Sequence, residues 1–304
     1  MQIGSFAERS RRVIALDDCL LQKEPSIGML QWTKRHLGRM SCASRIRFLV
    51  TRVNRKGEMT AVFCGDAPVQ AAFAAAASEI FAAVPELVSL YFCRLRNRPS
   101  HALDGECIWI SGRRTMEDEL LGLRFELSPQ SFFQINPEQT EKLYQRALEA
   151  AGLGNPDMRV LDAYCGAGTI TLAAARKAAY AVGVEIVAPA IENAKKNAVM
   201  NGLQKKTRFI CADAAREIPR LIAAGERFDA AILDPPRKGA DAALLNAIAD
   251  VRIPRVAYVS CNPATLARDV KLLCARGYRL EWAQPVDMFP WTEHIECVAC
   301  LSRE

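Results

Sequence analysis

From residue 158 to residue 302 the chain alternates short apolar runs with stretches of helical periodicity, and this alternation narrows the possible folds more than any other feature. MRVLDAY (158–164) precedes a helix near 168–178, and AYAVGVE (179–185) precedes one near 188–201. TRFICAD (207–213) leads into 214–225, FDAAILD (228–234) into 240–249, and RVAYVSC (255–261) into about 264–276. Two last strand candidates, YRLEWAQPV (278–286) and HIECVACLS (294–302), have no long helix between them. Near-continuous apolar strands joined by helical crossovers form a mostly parallel sheet covered on both faces. An α/β domain is therefore expected over residues 126–304. A helix over about 137–151 opens it, with Asn136 as its cap and Pro137 at its first position.

The first 125 residues lack this alternation and read as a smaller mixed α+β domain. RIRFLVTRV (45–53) and EMTAVFC (58–64) flank the turn NRKG as a hairpin. An alanine-rich helix spans roughly 69–83, and LVSLYFCRL (87–95) and ECIWISG (106–112) add strands. Residues 1–60 hold twelve Lys and Arg against five Asp and Glu, so this segment alone carries +7 in a chain of net charge +6. A localised basic face suits a polyanion, because each phosphate contact releases condensed counterions; a merely solubilising face is the alternative. No apolar run approaches 18 residues, which argues against a membrane span. The start, MQIGSFAERSRRVIALDD, has no stretch of signal-peptide apolarity, so a cytoplasmic protein is expected. Eleven cysteines scattered along the chain read as reduced thiols. The distant His36, His101 and His294 give no support to a zinc site, so no metal is expected.

In a sheet of this kind, ligands bind beyond the carboxyl ends of the strands. Asp162 ends the first strand and leads into Tyr164-Cys165-Gly166-Ala167-Gly168, whose glycines let backbone N–H groups approach a ligand. The pattern is D-x-x-C-G-x-G, not the G-x-G-x-x-G of a dinucleotide site. A carboxylate at Asp162 would repel a pyrophosphate but attract the ammonium of a methionine moiety. Glu185 ends the second strand nineteen residues after Gly166, where it can accept from both ribose hydroxyls. Asp213, closing the third strand, can meet an adenine amino group or simply cap the next helix. Together these residues point to S-adenosylmethionine rather than a nicotinamide.

Asp234-Pro235-Pro236-Arg237-Lys238-Gly239 follows the fourth strand. Two prolines hold a loop extended against a flat base at little entropic cost. Asp234 can then hydrogen-bond a base N–H, while Arg237 and Lys238 reach a phosphate. The plainer reading of DPP is a rigid strand exit. Cys261, in Ser260-Cys261-Asn262-Pro263, stands at the end of the fifth strand directly before a helix, whose N-terminus favours a thiolate. Inert burial is the commoner role for a cysteine; the neighbouring cofactor turn and DPP loop speak against it here. A soft nucleophile in this place matches one difficult reaction. Carbon 5 of uracil is too weak a nucleophile until a thiolate adds to carbon 6. Carbon 5 can then attack a sulfonium methyl, and its proton must afterwards leave so that the thiol is eliminated. Glu296, an acid inside the apolar run IECVAC, is the expected base, because burial raises a carboxyl pKa; Glu293 and His294 are its local rivals. In SFFQIN (131–136), Phe132 and Phe133 can stack on an extracted base or be core, while Gln134 and Asn136 offer amides to base or cofactor.

SFFQIN, DAYCGAGT, VGVE, LDPPRKG, SCNPATLARD and DMFPWTEHIE resemble, in order and spacing over about 131–296, the bacterial 23S rRNA and tRNA uracil-5-methyltransferases, most nearly the ribosomal RNA branch. The resemblance implies a Rossmann-like, seven-stranded class I S-adenosylmethionine-dependent methyltransferase domain at 126–304, preceded by an RNA-contacting domain at 1–125. The implied partner is structured RNA, 23S rRNA rather than tRNA, with no membrane and no obligate protein partner. Cys261 resembles the family nucleophile, Glu296 the base and Asp234 the acid that holds the uracil. Gln134, Tyr164, Glu185 and Asp234 resemble positions lining the cofactor and base pocket, with Gly166 in the glycine turn. Phe132, Arg237 and His294 are expected beside the substrate. Many members of the family add a β-barrel and a C-x5-C-x2-C segment that, with one later cysteine, ligates a [4Fe–4S] cluster. Neither is found in this sequence. Cys19 resembles the isolated fourth ligand, and one thiolate cannot hold a cluster, so none is expected.

Two rival readings stand beside this one. An exocyclic-amine methyltransferase on the same fold uses (N/D)PP(Y/F) and needs no cysteine, whereas Arg237 follows the prolines here. A catalytically impaired RNA-binding fragment of the family would keep the fold without the chemistry.

Overall fold

The computed structural model describes every residue except Met1, Glu8, Arg9, Arg11, Phe132 and Glu304. The chain forms two compact units, one of residues 1–118 with 126–130, the other of residues 119–125 with 131–304.

In the first unit, β1 (Gly4–Phe6) and β2 (Val13–Ala15) pair as a short antiparallel ribbon. The helix α1 (Glu24–His36) is not among the elements expected above. Its ends nevertheless carry the usual signals, a proline in the first turn and Lys34, Arg35 and His36 in the last. Then come β3 (Ile46–Val53), β4 (Met59–Gly65), α2 (Gln70–Ala83), β5 (Leu87–Leu95) and β6 (Gly105–Gly112). The strands form a sheet in the order β3-β4-β5-β6, parallel only between β4 and β5, the pair that α2 joins. Phe63, Phe73 and Phe92 stack inside it, with ring centroids 4.4 and 6.0 Å apart, in one core with Met29 and Trp32 of α1. The basic character of residues 1–60 is not all surface. Arg52 is half-buried, donates to the Ser128 carbonyl at 3.2 Å, and is lowered to a pKa of about 10 by burial.

The ribbon of β7 (Met116–Leu120) and β8 (Leu123–Leu127) follows. In the second unit, α3 (Pro137–Ala150) begins at Asn136, whose side chain accepts from the Gln139 N–H at 3.2 Å. Strands and helices then alternate: β9 (Arg159–Asp162), α4 (Thr169–Ala175), β10 (Tyr180–Glu185), α5 (Ala188–Met200), β11 (Thr207–Cys211) and α6 (Ala214–Ala223). The series ends with β12 (Ala230–Leu233), α7 (Ala242–Asp250), β13 (Arg255–Ser260), α8 (Pro263–Ala275), β14 (Arg279–Val286) and β15 (Glu296–Ser302). They build a seven-stranded sheet in the order β11-β10-β9-β12-β13-β15-β14. The first five strands run parallel, as helical crossovers require. No helix lies between β14 and β15, so β15 returns antiparallel and inserts between β13 and β14. The mostly parallel sheet expected from the alternation is thus present, with the seven-stranded Rossmann-like class I core that the family resemblance implies. Leu161, Val182, Leu233 and Tyr258 of the sheet pack with Leu244 and Ile248 of α7 in one core. Among the described residues, no helix is long and apolar enough to cross a membrane.

The sheet is tightest at Gly183 in β10. A Cβ there would stand 2.8 Å from the Cys165 sulfur and 2.9 Å from Cδ1 of Phe209. Gly183→Ala is therefore expected to destabilise the protein by about 1–3 kcal/mol, the usual cost of overpacking. Urea denaturation checks this, and an unchanged midpoint would show that the cofactor side of the sheet is looser than described.

Candidate active site

Because β9, β10 and β12 are parallel and in register, with Asp162 beside both Gly183 and Ile232, their following loops emerge on one edge. A cavity of about 1350 Å³ opens there, larger than a single small ligand needs. Every lining residue belongs to the second unit.

One half of the cavity suits a nucleoside. Glu185 is fixed at the end of β10, accepting from the Gly166 N–H at 3.3 Å and the Val187 N–H at 2.9 Å, and it lines the cavity with Gly166. Gly166 and Gly168 take φ values of 53° and 85°, so the turn needs glycine at both positions. Asp213 caps α6 through the Ala215 N–H at 2.9 Å and also lines the cavity. Ile186, 65% exposed, and Ala214 offer apolar surface between these acids. Tyr164 lines the same wall, and burial lifts its hydroxyl to about 12, so it stays neutral. The carboxylate acceptors and apolar surface fit the adenosyl part of S-adenosylmethionine.

Asp162 requires a correction. It is only 1% exposed and does not line the cavity. Its carboxyl accepts from the Thr171 hydroxyl at 2.6 Å and the Tyr164 N–H at 3.4 Å, and burial raises its pKa to about 6. It holds the glycine turn from beneath instead of meeting an ammonium.

The other half of the cavity gathers the reactive groups. In the antiparallel pair of β13 and β15, Ser260 stands opposite Cys297. Carried one residue further, that register sets Cys261 against Glu296, and both line the cavity together with Asp234, Gln134 and Arg237. Glu296 is 5% exposed, and its carboxyl makes no hydrogen bond or ion pair among the described residues. Burial pushes its pKa to about 7, with Arg237 opposing. Asp234 also rises to about 7, first by burial and then by the charges of Glu296 and Asp162. The Cys261 thiol is raised by burial and by these two carboxyls, against a smaller pull from Arg237. The helix-terminus preference for a thiolate is therefore outweighed, and the resting thiol keeps its proton.

A brace behind the DPP loop has no counterpart in the sequence reading. Buried Asp269 of α8 accepts from the Tyr258 hydroxyl at 2.5 Å and the Ala240 N–H at 2.9 Å. Arg268 and Asn262 donate to the carbonyls of Lys238 and Arg237 at 3.0 and 3.2 Å. The loop is thus fastened to the helix that follows Cys261. The only signal available was an acid in the otherwise helical stretch ATLARDV.

Of the remaining expectations, Phe133 is core as well as wall, its ring 5.7 Å from that of Phe125. Phe132 lies outside the described residues. His294 is exposed and does not line the cavity; its ring meets Phe289 edge-on at 6.5 Å. Among the described residues, no group of three or more His, Cys, Asp or Glu is arranged to hold a metal ion, and Cys19 is a half-buried free thiol.

Comparison with known proteins gives the family. Residues 113–304 match the family described as tRNA (Uracil-5-)-methyltransferase. An uncharacterized RNA methyltransferase of Caldanaerobacter subterraneus subsp. tengcongensis is 40% identical over 312 residues, covering 99% of this chain and 68% of that protein. Among solved structures, the Pyrococcus abyssi tRNA (uracil-54, C5)-methyltransferase in complex with S-adenosyl-L-homocysteine superposes with a TM-score of 0.76. It is 25% identical and matches 97% of this chain and 72% of its own. A SAM-dependent methyltransferase of Agrobacterium tumefaciens shares the fold, with a TM-score of 0.54 and 17% identity over 83% of this chain and 89% of its own. These findings overturn the assignment to the 23S rRNA branch and the preference for ribosomal over transfer RNA. The motifs behind that assignment all fall within residues 131–296 and carry nothing about RNA shape.

Glu296 gives a pH test. Its folded pKa lies above the ordinary carboxyl value, so the neutral form stabilises the fold fully below about pH 4 and that contribution is lost as pH rises through 7. Between pH 4 and pH 8, the stability difference is expected to move in favour of Glu296→Gln by about 1–3 kcal/mol relative to the unsubstituted protein. A difference that stays constant with pH, measured by urea denaturation, would place this carboxyl in water.

Proposed function

This chain belongs to the tRNA (uracil-5-)-methyltransferase family, and we propose that it methylates carbon 5 of a uridine in transfer RNA through a covalent adduct on Cys261. It is an S-adenosylmethionine-dependent RNA (uracil-5-)-methyltransferase. The single observation that carries the proposed mechanism is that Cys261, Glu296 and Asp234 line one cavity.

Glu185 would hold the ribose hydroxyls of S-adenosylmethionine, with Asp213 and Ile186 at its adenine. Bound there, the cofactor supplies the electrophilic methyl group for carbon 5. Asp234 accepts a hydrogen bond from uracil N3–H, a donor that cytosine lacks at that edge, and so selects the base. Cys261 must give up its proton before it adds to carbon 6; an ionised carboxyl of the Asp234–Glu296 pair is the acceptor its surroundings offer, and it passes that proton to solvent before methyl transfer, so that Glu296 is again ionised for the later step. Arg237 favours the negative forms of both Cys261 and Glu296. After methylation Glu296, in its ionised form, takes the carbon 5 proton. Elimination of the Cys261 sulfur from carbon 6 then restores the base.

Transfer RNA is the proposed substrate because the Pyrococcus abyssi enzyme, similar over nearly the whole chain, acts on it. Phosphates would meet Arg237 and Lys238, and the basic first unit would add further backbone contacts. A cytoplasmic location is part of the same proposal.

The test is a set of tRNA transcripts carrying 5-fluorouridine. Fluorine on carbon 5 cannot leave as a proton does, so a denaturation-resistant protein–RNA adduct should form and map to Cys261. Cys261→Ala should abolish the adduct and methylation alike. Glu296→Gln should slow turnover about 10²–10⁴-fold and accumulate the methylated adduct on ordinary uridine. Undiminished methylation by Cys261→Ala would favour an amine methyltransferase. Adducts with other RNAs but no tRNA would remove the substrate assignment and leave the chemistry standing.

A further inference from the structure

The segment 287–295 that joins β14 to β15 carries an indole that no packing in the fold accounts for. Trp291 is 89% exposed, and its φ of 68° lies where L side chains are rarely found. The turn is nevertheless well held. The Thr292 hydroxyl and N–H both donate to the Phe289 carbonyl, at 2.8 and 3.1 Å. The Met288 carbonyl accepts from the Asn136 side chain at 3.2 Å. Phe289, two residues before Trp291, and Glu296, five residues after it, both line the cavity. Trp291 therefore stands on a held turn between two wall residues, close to where a base must come in.

Its surroundings select among partners. The hydrogen bond from Asn136 ties this turn to the segment bearing Ile135, which is 61% exposed and lines the cavity. The exposed charges near Trp291 in its own segment are the acids Asp287 and Glu293, which disfavour a phosphate there. Arg237 and Lys238, by contrast, are exposed, line the cavity, and have no ion pair among the described residues. The rim thus offers cations on the DPP loop and an aromatic face with an apolar neighbour on the β14–β15 turn. An RNA strand with one base drawn out presents the matching pair, phosphates on its backbone and an uncovered flat base beside the gap.

We propose that Trp291 is a positioning residue that stacks on the RNA base neighbouring the target uridine, while Arg237 and Lys238 take the adjoining phosphates. This rests on the reading of the cavity as an RNA uracil site, and methylation by the unsubstituted protein tests that reading separately.

The experiment compares the full chain with Trp291→Ala and Trp291→Phe on one tRNA transcript, reading steady-state kinetics and the quenching of tryptophan fluorescence by RNA. Trp291→Ala should raise KM for RNA about ten-fold while kcat changes less than about three-fold and the affinity for S-adenosylmethionine stays the same. Trp291→Phe should recover most of the loss, since a phenyl ring still stacks, yet show diminished quenching. Quenching needs no turnover, so it decides the contact even with a transcript that is not methylated. Equal KM values and equal quenching would overturn the proposal. So would weaker binding of S-adenosylmethionine by Trp291→Ala, or an unsubstituted dimer that this substitution converts to monomer.

Discussion

Three acidic groups, Cys261, Asp234 and Glu296, share one dry corner of the cavity, and they cannot all be ionised there together. Burial, reinforced at Asp234 and Cys261 by repulsion from neighbouring carboxyls, sets the resting state of the site, which holds more protons at neutral pH than three such groups would in water. A nucleophile kept as a thiol is protected from oxidants and stray electrophiles until substrate arrives. A carboxyl near 7 can take up and release a proton with little change in free energy, as a base that works once in each turnover must. The crowding is thus what suits these residues to alternate between neutral and charged forms.

Such crowding survives only because the surrounding structure enforces it. The reversed strand β15 brings Glu296 to the sheet edge from the opposite chain direction, beside a residue carried there by β13. A wholly parallel sheet would need another helical crossover to deliver that carboxyl. The DPP loop is held from behind by α8, whose first residues follow Cys261 directly, so the loop and the thiol keep a constant separation. Rigid support of this kind lets buried polar groups stay at a site despite the destabilisation they cause.

Much of this was legible in the chain. The parallel strands stand out because burial on both faces makes them continuously apolar, as in AAIL of β12, and their ends then mark the ligand edge. Glu296 is visible as an acid within an apolar run, and Cys261 by its place between strand and helix. What escaped depends on contacts that sequence spacing does not encode. Asp162 and Glu185 both end strands, yet only Glu185 faces the cavity, because Thr171 draws the Asp162 carboxyl inward. Asp269 matters through Tyr258 and Ala240, eleven and twenty-nine residues away, and looks like any helical acid until the chain is folded. The branch of the family was misjudged for a related reason: residues that perform a reaction do not report which RNA is brought to them.

The cavity draws every one of its walls from the second unit, while the densest run of positive charge falls in the first sixty residues. The cavity and the densest positive charge thereby lie in separate stretches of the polypeptide. Substitutions among those sixty residues can accordingly reshape the charge of the chain while leaving every wall of the cavity as it is.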